Sequence, residues 1–366
     1  MRRLWIYERV KVDLETRIEL VKKVGEEIVT ESELRALFET KTHPVAYDGF
    51  EPSGYAHLGS GLMRAIQLQI LMDAGIRFKL YVADWFALIN NKLGGDLEKI
   101  QKAGDYLIEV WKACGIDDKK TEIVWASDHV KDPEYWKKVV AISKITTIDR
   151  MVRCSAIMGR QQKDMQYAAQ LLYPAMQAAD PFHMGADICQ LGFDQRKVTL
   201  LSREAGEKLK WYKPVAIHHH LLMGLQGPKK MGSDDGEIAS KMSKSIPKAS
   251  IFVHDSPDVI KEKIAASFCP EKTVGGNPIM EICKYIIFNK SKNLDISRPE
   301  KFGGDVSFSS YADLEAHYAD GKLHPVDLKN AVSESLATIL EPVRRHFEKP
   351  ANKKLLEMFS ESDITR

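Results

Sequence analysis

Two stretches of the chain combine residue types and spacings suited to phosphate chemistry. Lys241-Met242-Ser243-Lys244-Ser245 sets two lysines three apart among small residues, after the polar segment 227–240, GPKKMGSDDGEIAS, which reads as a mobile loop. Lysines so placed can close over a triphosphate and neutralise charge on a departing pyrophosphate; a solvated basic loop is the competing reading. Far upstream, Ala46–Gly61 (AYDGFEPSGYAHLGSG) reads as a strand entering a turn punctuated by Gly49, Gly54, Gly59 and Gly61 and feeding a helix. Such glycines permit special backbone conformations and close approach of a ligand. His57 and Gly59 fall near the helix start, where unpaired N–H groups attract anions. A purely structural turn would carry the same pattern.

A third group is Tyr173, Gln177 and Asp180, spaced four and three apart and so on one helix face. Leu171, Leu172, Met176, Ala178 and Ala179 crowd around them, which argues against an ordinary solvated face. A phenol, an amide and a carboxylate also make a poor core face, because each needs a buried partner. They suit a small polar ligand.

The elements that must position these groups follow from periodicity. Leu14–Phe38 has helical spacing, with a capping box at Thr30–Glu33 opening a second short helix. His43–Tyr47, Phe78–Ala83 and Glu122–Ala126 read as strands, with helices after Leu62 and over Gly95–Gly115, the parallel α/β pattern. In such sheets ligands bind beyond the carboxyl ends of the strands, here at the glycine turn and Asp84. Beyond Pro247 helical periods take over at Pro257–Ala266, Pro278–Phe288, Tyr311–Tyr318 and Pro325–Phe347, and strands disappear.

At 366 residues the chain suits about two domains. A net charge of +2 leaves nucleic-acid contacts to local patches. The five cysteines, with no CxxC pair, read as reduced thiols of a cytosolic protein. Residues 1–10, MRRLWIYERV, lack the apolar run of a targeting segment, and no stretch has membrane-span length. His218-His219-His220 lacks the companions of a metal site, because neighbouring strand residues face opposite ways; it reads as a strand end near an adenine.

Together, HLG at 57–59 and KMSKS at 241–245 resemble the paired signatures of class I aminoacyl-tRNA synthetases. GFEPSG (49–54), LLYPAMQAAD (171–180), GFDQRK (192–197) and NPIMEICKY (277–285) look more narrowly like tyrosyl-tRNA synthetases of the archaeal and eukaryotic type, over roughly residues 14–347. Ser60 departs from the pattern, which often carries a second histidine there.

The resemblance implies an α/β fold: an N-terminal helical collar (1–40), a Rossmann-like parallel-sheet catalytic domain (41–246) with a helical insertion at about 133–170, and an all-α anticodon-binding domain (247–366). It implies catalysis by His57, Lys241 and Lys244, and ATP binding by these with Gly59, Gly192, Asp194, Met242 and Ser243. Tyrosine would be held by Tyr47, Gly49, Tyr173, Gln177, Asp180 and Gln195, with Asp180 and Tyr47 on the phenolic hydroxyl. Phenylalanine is then rejected because it leaves those groups unpaired, a discrimination for which this family is the standard example. The insertion would form a dimer interface and bring Arg150 and Arg153 to the tRNA acceptor end. Phe302 would stack on an anticodon base, with Asp327 and His324 at its edge; Asp327 as a plain helix cap is the alternative.

The implied function is tyrosine–tRNA ligation in the cytosol, by a homodimer away from membranes, with ATP as substrate, Mg²⁺ accompanying it and no dedicated protein metal site. Tryptophanyl-tRNA synthetase stays open as the alternative, since an indole N–H also suits Asp180, although GFEPSG and YPAMQAAD favour tyrosine. A small nucleotidyltransferase would lack KMSKS and an RNA-reading domain. A non-catalytic RNA-binding derivative would have lost the lysine loop or the amino-acid pocket.

Overall fold

A computed structural model describes residues 12–117, 120–159, 166–228 and 240–359. Residues 1–10 and most of the expected mobile loop, 229–239, lie outside the described residues, as do 160–165 of the expected insertion. The chain divides into two compact units.

The first unit comprises residues 1–53, 67–104 and 116–220. Its elements, with the start of α3 (64–66) and the second half of α5 (105–113) counted in the second unit, run α1 (Leu14–Val24), β1 (Gly25–Val29), α2 (Glu31–Thr40), β2 (Val45–Phe50), α3 (Arg64–Asp73), β3 (Arg77–Val82), α4 (Asp84–Ile89), α5 (Leu97–Ala113), β4 (Thr121–Trp125), α6 (Ala126–Val130), α7 (Pro133–Lys144), α8 (Ile148–Cys154), α9 (Ala169–Met184), β5 (Ile188–Gly192), α10 (Arg196–Lys208) and β6 (Val215–His219). The sheet order is β1-β6-β5-β2-β3-β4, with every pairing parallel except β1 with β6. Strands β5 and β6 are buried at every residue, as a sheet covered on both faces requires. The chain reverses direction across the sheet between β2 and β5, and the crevice beyond their carboxyl ends is where a ligand of such a sheet belongs.

The N-terminal helical run is broken where the sequence pattern predicts continuity. Gly25 ends α1, and Ile28 pairs with Ile217 in the antiparallel ladder of β1 on β6. The capping box forms as expected: Glu33 N–H donates to Thr30 Oγ1 at 3.2 Å and Thr30 N–H to Glu33 Oε2 at 3.1 Å. Asp84 is fully buried just past the end of β3, accepting from Ser127 N–H (2.9 Å) and Gln101 Nε2 (3.0 Å), so it ties the start of α4 to α6 and α5.

The second unit comprises residues 54–66, 105–115 and 221–366. The signature turn and KMSKS therefore belong with the C-terminal helices, and the last segment of this unit begins at Leu221, upstream of the expected change near Pro247. Helices at Pro257–Ala265, Pro278–Ile282, Tyr311–Ala319 and Pro325–Glu348 follow the predicted periods, and a further helix that the sequence reading did not name, Pro350–Glu357, comes after them; four of these five start at proline, whose missing N–H costs nothing in a first turn. Strands do not disappear: β7 (Leu294–Ile296) and β8 (Val306–Phe308) form an antiparallel hairpin. All five cysteines are free thiols. Among the described residues no helix is long and apolar enough to cross a membrane.

Candidate active site

In the first unit α9 presents Tyr173, Gln177 and Asp180 on one face, as their spacing requires. Asp180 is 1% exposed. Its Oδ1 accepts from Tyr135 Oη at 3.0 Å and Tyr81 Oη at 3.2 Å, with His129 Nδ1 3.5 Å away, while its Oδ2 is buried with no hydrogen-bond partner. Burial raises its pKa, opposed by His129, Tyr135 and Tyr81. One turn back, Gln177 Nε2 donates to Gln195 Oε1 at 3.0 Å and Gln195 Nε2 to the Ile157 carbonyl at 3.1 Å, which leaves Gln177 Oε1 buried and unpaired. Buried acceptors without donors are rare in folded proteins. Two on one helix face suit a ligand carrying a donor at each end.

The other expected side chains gather at the same strand ends. Tyr173 Oη donates to Glu51 Oε1 at 2.7 Å, just past β2, and Glu51 also accepts from Asn90 Nδ2 at 3.1 Å. Tyr47 is buried on β2 next to Cys189, and burial first, then Cys189, raises its phenol pKa well above the ordinary value. Gly49 lies near the end of β2 opposite Tyr81, Gly192 ends β5, and Asp194 sits in the turn Phe193–Gln195. Leu171 and Leu172, expected to crowd the polar face, are 38% and 43% exposed and point elsewhere.

The histidine run has structural partners. His218 lies between Glu27 (2.7 Å) and Thr199 (2.7 Å), and His219 Nδ1 is 3.1 Å from Gln190 Nε2, so they tie β6 to β1, α10 and β5.

In the second unit a helical turn, Gly59–Met63, opens directly after His57. His57 Nδ1 accepts from Gly59 N–H (3.1 Å) and Ser60 N–H (3.4 Å), while Ser60 Oγ accepts from His57 N–H (3.2 Å). With Nδ1 an acceptor, the ring proton sits on Nε2, which is a donor. Burial, then Lys244 and Lys241, push the His57 pKa down to about 3, so the ring is neutral. Of the four expected glycines only Gly54 has a left-handed backbone (φ 128°); at Gly61 the need is space, since a Cβ would stand 2.7 Å from Val253 Cγ1.

Each signature segment is held by its own short antiparallel bridge, His57 opposite Phe252 and Lys241 opposite Met223. Leu58 N–H donates to the Ile251 carbonyl (2.9 Å) and Val253 N–H to that of Ala56 (3.1 Å), while Met242 N–H reaches Leu222 (2.7 Å). The Ser243 carbonyl accepts from Ser250 Oγ at 2.7 Å. Met223 N–H is held by Glu281 Oε2 at 2.9 Å, a carboxylate the sequence reading quoted within NPIMEICKY without assigning it a role.

Comparison with known proteins bears on this arrangement. The family of class I tRNA synthetases for tryptophan and tyrosine matches residues 39–341. Tyrosine–tRNA ligase 1, cytoplasmic, of Arabidopsis thaliana is 43% identical over 358 residues, covering 97% of this chain and 90% of its own. Tyrosine–tRNA ligase of Thermococcus gammatolerans is 44% identical over 377 residues, covering 97% and 100%. The structure of tyrosyl-tRNA synthetase complexed with L-tyrosine from Pyrococcus horikoshii superposes with a TM-score of 0.88 at 42% identity, over 95% of this chain and 100% of that one. The chain belongs to the tyrosyl-tRNA synthetases of class I.

Within this tyrosyl-tRNA synthetase fold the residues expected at tRNA are unequally available. Arg150 Nη2 is engaged 2.7 Å from Glu204 Oε1, on the wall of a cavity of about 130 Å³ that Thr147, Leu201 and Lys208 also line. Arg153 is exposed and makes no ion pair among the described residues. Phe302 is 60% exposed beside the left-handed Gly303 and Gly304, with Lys301 Nζ 4.8 Å from its ring centre. The cap of helix Pro325–Glu348 is His324, whose Nδ1 accepts Val326 N–H at 3.2 Å, so Asp327 is not the cap and lies half-buried in the first turn.

Sequence reasoning missed Tyr81, His129, Tyr135, Glu51 and Glu281. Glu51 and Glu281 sit inside the quoted phrases GFEPSG and NPIMEICKY, which was the available signal. The three that surround Asp180 come from β3, α6 and α7, and nothing local marks them.

Proposed function

We propose that the chain activates tyrosine with ATP and passes the tyrosyl group to tRNA(Tyr). The tyrosine carboxylate attacks the α-phosphate, giving tyrosyl-adenylate and pyrophosphate; the terminal tRNA hydroxyl then attacks the carbonyl and AMP leaves. No covalent enzyme intermediate is needed, and catalysis is positioning and charge stabilisation.

The observation that carries this reading is the pair of unpartnered buried acceptors on α9. Asp180 Oδ2 takes the phenolic O–H, with Tyr47 beside it, and Gln177 Oε1 takes an ammonium N–H, with Tyr173 and Gln195 completing that end. Gly49 lets the ligand lie close to β2. For ATP, neutral His57 donates from Nε2 to a phosphate, Lys241 and Lys244 offset charge on the pyrophosphate, and Gly59, Met242 and Ser243 supply close backbone. Gly192 and Asp194 meet the ribose, and Mg²⁺ enters as the magnesium–ATP complex.

Arg153 contacts the acceptor end, with Arg150 available only by exchanging Glu204 for phosphate. Phe302, His324 and Asp327 read the anticodon. The protein works as a homodimer in the cytosol, the division into catalytic and anticodon-reading parts following the family. Amino-acid-dependent ATP–pyrophosphate exchange, run with each of the twenty amino acids, tests the reading. Exchange with tyrosine alone supports it; exchange with tryptophan replaces it with the tryptophan enzyme, and no exchange from folded, tRNA-binding protein replaces it with an RNA-binding role.

A further inference from the structure

The C-terminal helix Pro350–Glu357 and Phe359 take no part in the chemistry above, yet they reach the residues that lead into the phosphate turn. Phe359 is 7% exposed and meets both Tyr55 and Tyr106 edge-on, each at 5.1 Å between ring centres. Tyr55 Oη donates to the Leu356 carbonyl at 3.4 Å, and the Tyr55 ring also meets His254 at 4.5 Å. Tyr106 is fully buried, and its Oη accepts Ala56 N–H at 3.1 Å. The tail is tied down separately: Asn352 Nδ2 donates to the His346 carbonyl at 3.0 Å, and His346 Nε2 lies 2.8 Å from Glu109 Oε2.

A continuous set of packed rings thus runs from Phe359 through Tyr55 and Tyr106 to Ala56, the residue before His57. Edge-to-face aromatic packing fixes ring orientation as well as burying area. Tyr106 has to hold one orientation for its hydroxyl to accept from Ala56, and Phe359 closes the side of the ring set formed by the tail.

We propose that Phe359 is a positioning residue for ATP: by packing on Tyr55 and Tyr106 it fixes the Ala56–His57 backbone, so that Gly59 and the His57 ring meet the phosphates in one geometry. This rests on the assignment of ATP to that turn. The groups assigned to tyrosine, Asp180 and Gln177, are not members of the ring set, so the effect falls on one substrate.

The test uses the full chain carrying Phe359→Ala, Phe359→Tyr or Tyr55→Phe, with thermal melts and steady-state ATP–pyrophosphate exchange. Phe359→Ala is expected to raise KM for ATP about tenfold while KM for tyrosine changes by less than about twofold, since small misplacements of a binding group are costly. Phe359→Tyr restores the ring and the wild-type value. Tyr55→Phe keeps the ring but loses the Leu356 link, and a smaller rise confined to ATP is expected even if Phe359→Ala does not fold. An unchanged KM for ATP in a folded Phe359→Ala variant, or equal rises in both KM values, overturns the proposal and leaves the ligase assignment standing. Absence of tyrosine-dependent exchange in the unaltered chain overturns both.

Discussion

Tyr135 Oη stands 3.0 Å from Asp180 Oδ1, and this bond, with that from Tyr81, occupies one carboxylate oxygen and leaves the other bare. The carboxylate is thereby oriented before any ligand arrives. On the proposed reading, a substrate hydroxyl would find an acceptor already desolvated and aimed, and a substrate without one would leave it unpaired. Asp180→Ala should therefore reduce the preference for tyrosine over phenylalanine by roughly 10- to 150-fold, the equivalent of about 1.5–3 kcal/mol for a hydrogen bond to a charged group. Tyr135→Phe should move the ratio in the same direction by less. Pyrophosphate exchange with each amino acid gives the ratio; an unaltered ratio in folded Asp180→Ala protein removes Asp180 from the recognition of tyrosine.

Ser60 braces the histidine ahead of it by accepting the His57 N–H at 3.2 Å. Ser60→Ala deletes two neutral hydrogen bonds, that one and the longer one the hydroxyl donates to the His57 carbonyl at 3.4 Å, about 0.5–1.5 kcal/mol each, so KM for ATP should rise roughly 5- to 150-fold with KM for tyrosine unmoved. A rise in both would show that the hydroxyl supports the fold at large and has no particular link to the turn.

Burial holds two histidines of the second unit neutral, His57 with a pKa of about 3 and His254 with one of about 4, against 6.5 for a free ring. Below 6.5 the unfolded chain binds protons that these folded sites refuse, so stability is full above that pH and falls as the medium is acidified toward the folded values. Each ring should cost roughly 1–2 kcal/mol between pH 6.5 and 5. Denaturant titrations at the two pH values measure the loss, and replacing His254 by Leu should remove its share; a wild-type midpoint insensitive to pH in this window contradicts the buried neutral state.

Arg153 and Arg150 share a helix but differ in engagement. Arg153→Ala should lower tRNA charging about tenfold through one lost phosphate or base contact, while pyrophosphate exchange, which needs no tRNA, is unaffected. Arg150→Ala breaks a partly exposed ion pair with Glu204, worth at most about 1 kcal/mol, and should have the weaker effect on charging. The reverse ranking would show that Glu204 yields Arg150 to the RNA.

Phe302→Ala should raise KM for tRNA by roughly 5- to 150-fold, the range for one base stacked on an aromatic ring. Because that ring is 60% exposed, the melting temperature should not move. If charging is untouched, the anticodon is read elsewhere.

What could be foreseen from the sequence tracks how local each feature is. The capping box at Thr30, the proline-led helices and the strand–turn–helix at residues 45–73 follow from neighbours in the chain, and they form as expected. Strand β1, with the sequence GEEIV, has no alternation to announce it; pairing with β6, nearly two hundred residues later, decides its state. The hairpin of β7 and β8 is equally silent, three residues a side being too short for a period. At the candidate site, Tyr173, Gln177 and Asp180 lie on one helix and could be found by spacing, whereas Tyr81, His129 and Tyr135 meet Asp180 only through the tertiary fold.

The threading of the second unit has a consequence for how the protein is made. Every residue of the first unit, with Tyr173, Gln177 and Asp180, has been synthesised by His220, whereas the unit holding His57 waits for everything from Leu221 onward, including the backbone bonds at Ile251–Val253. Since domains form as their residues emerge from the ribosome, the unit holding His57 and KMSKS is completed last. On the proposed assignment, a chain ended before Lys241 would keep the groups assigned to the amino acid and lack the two lysines assigned to the pyrophosphate, so an abortive product should not form the adenylate.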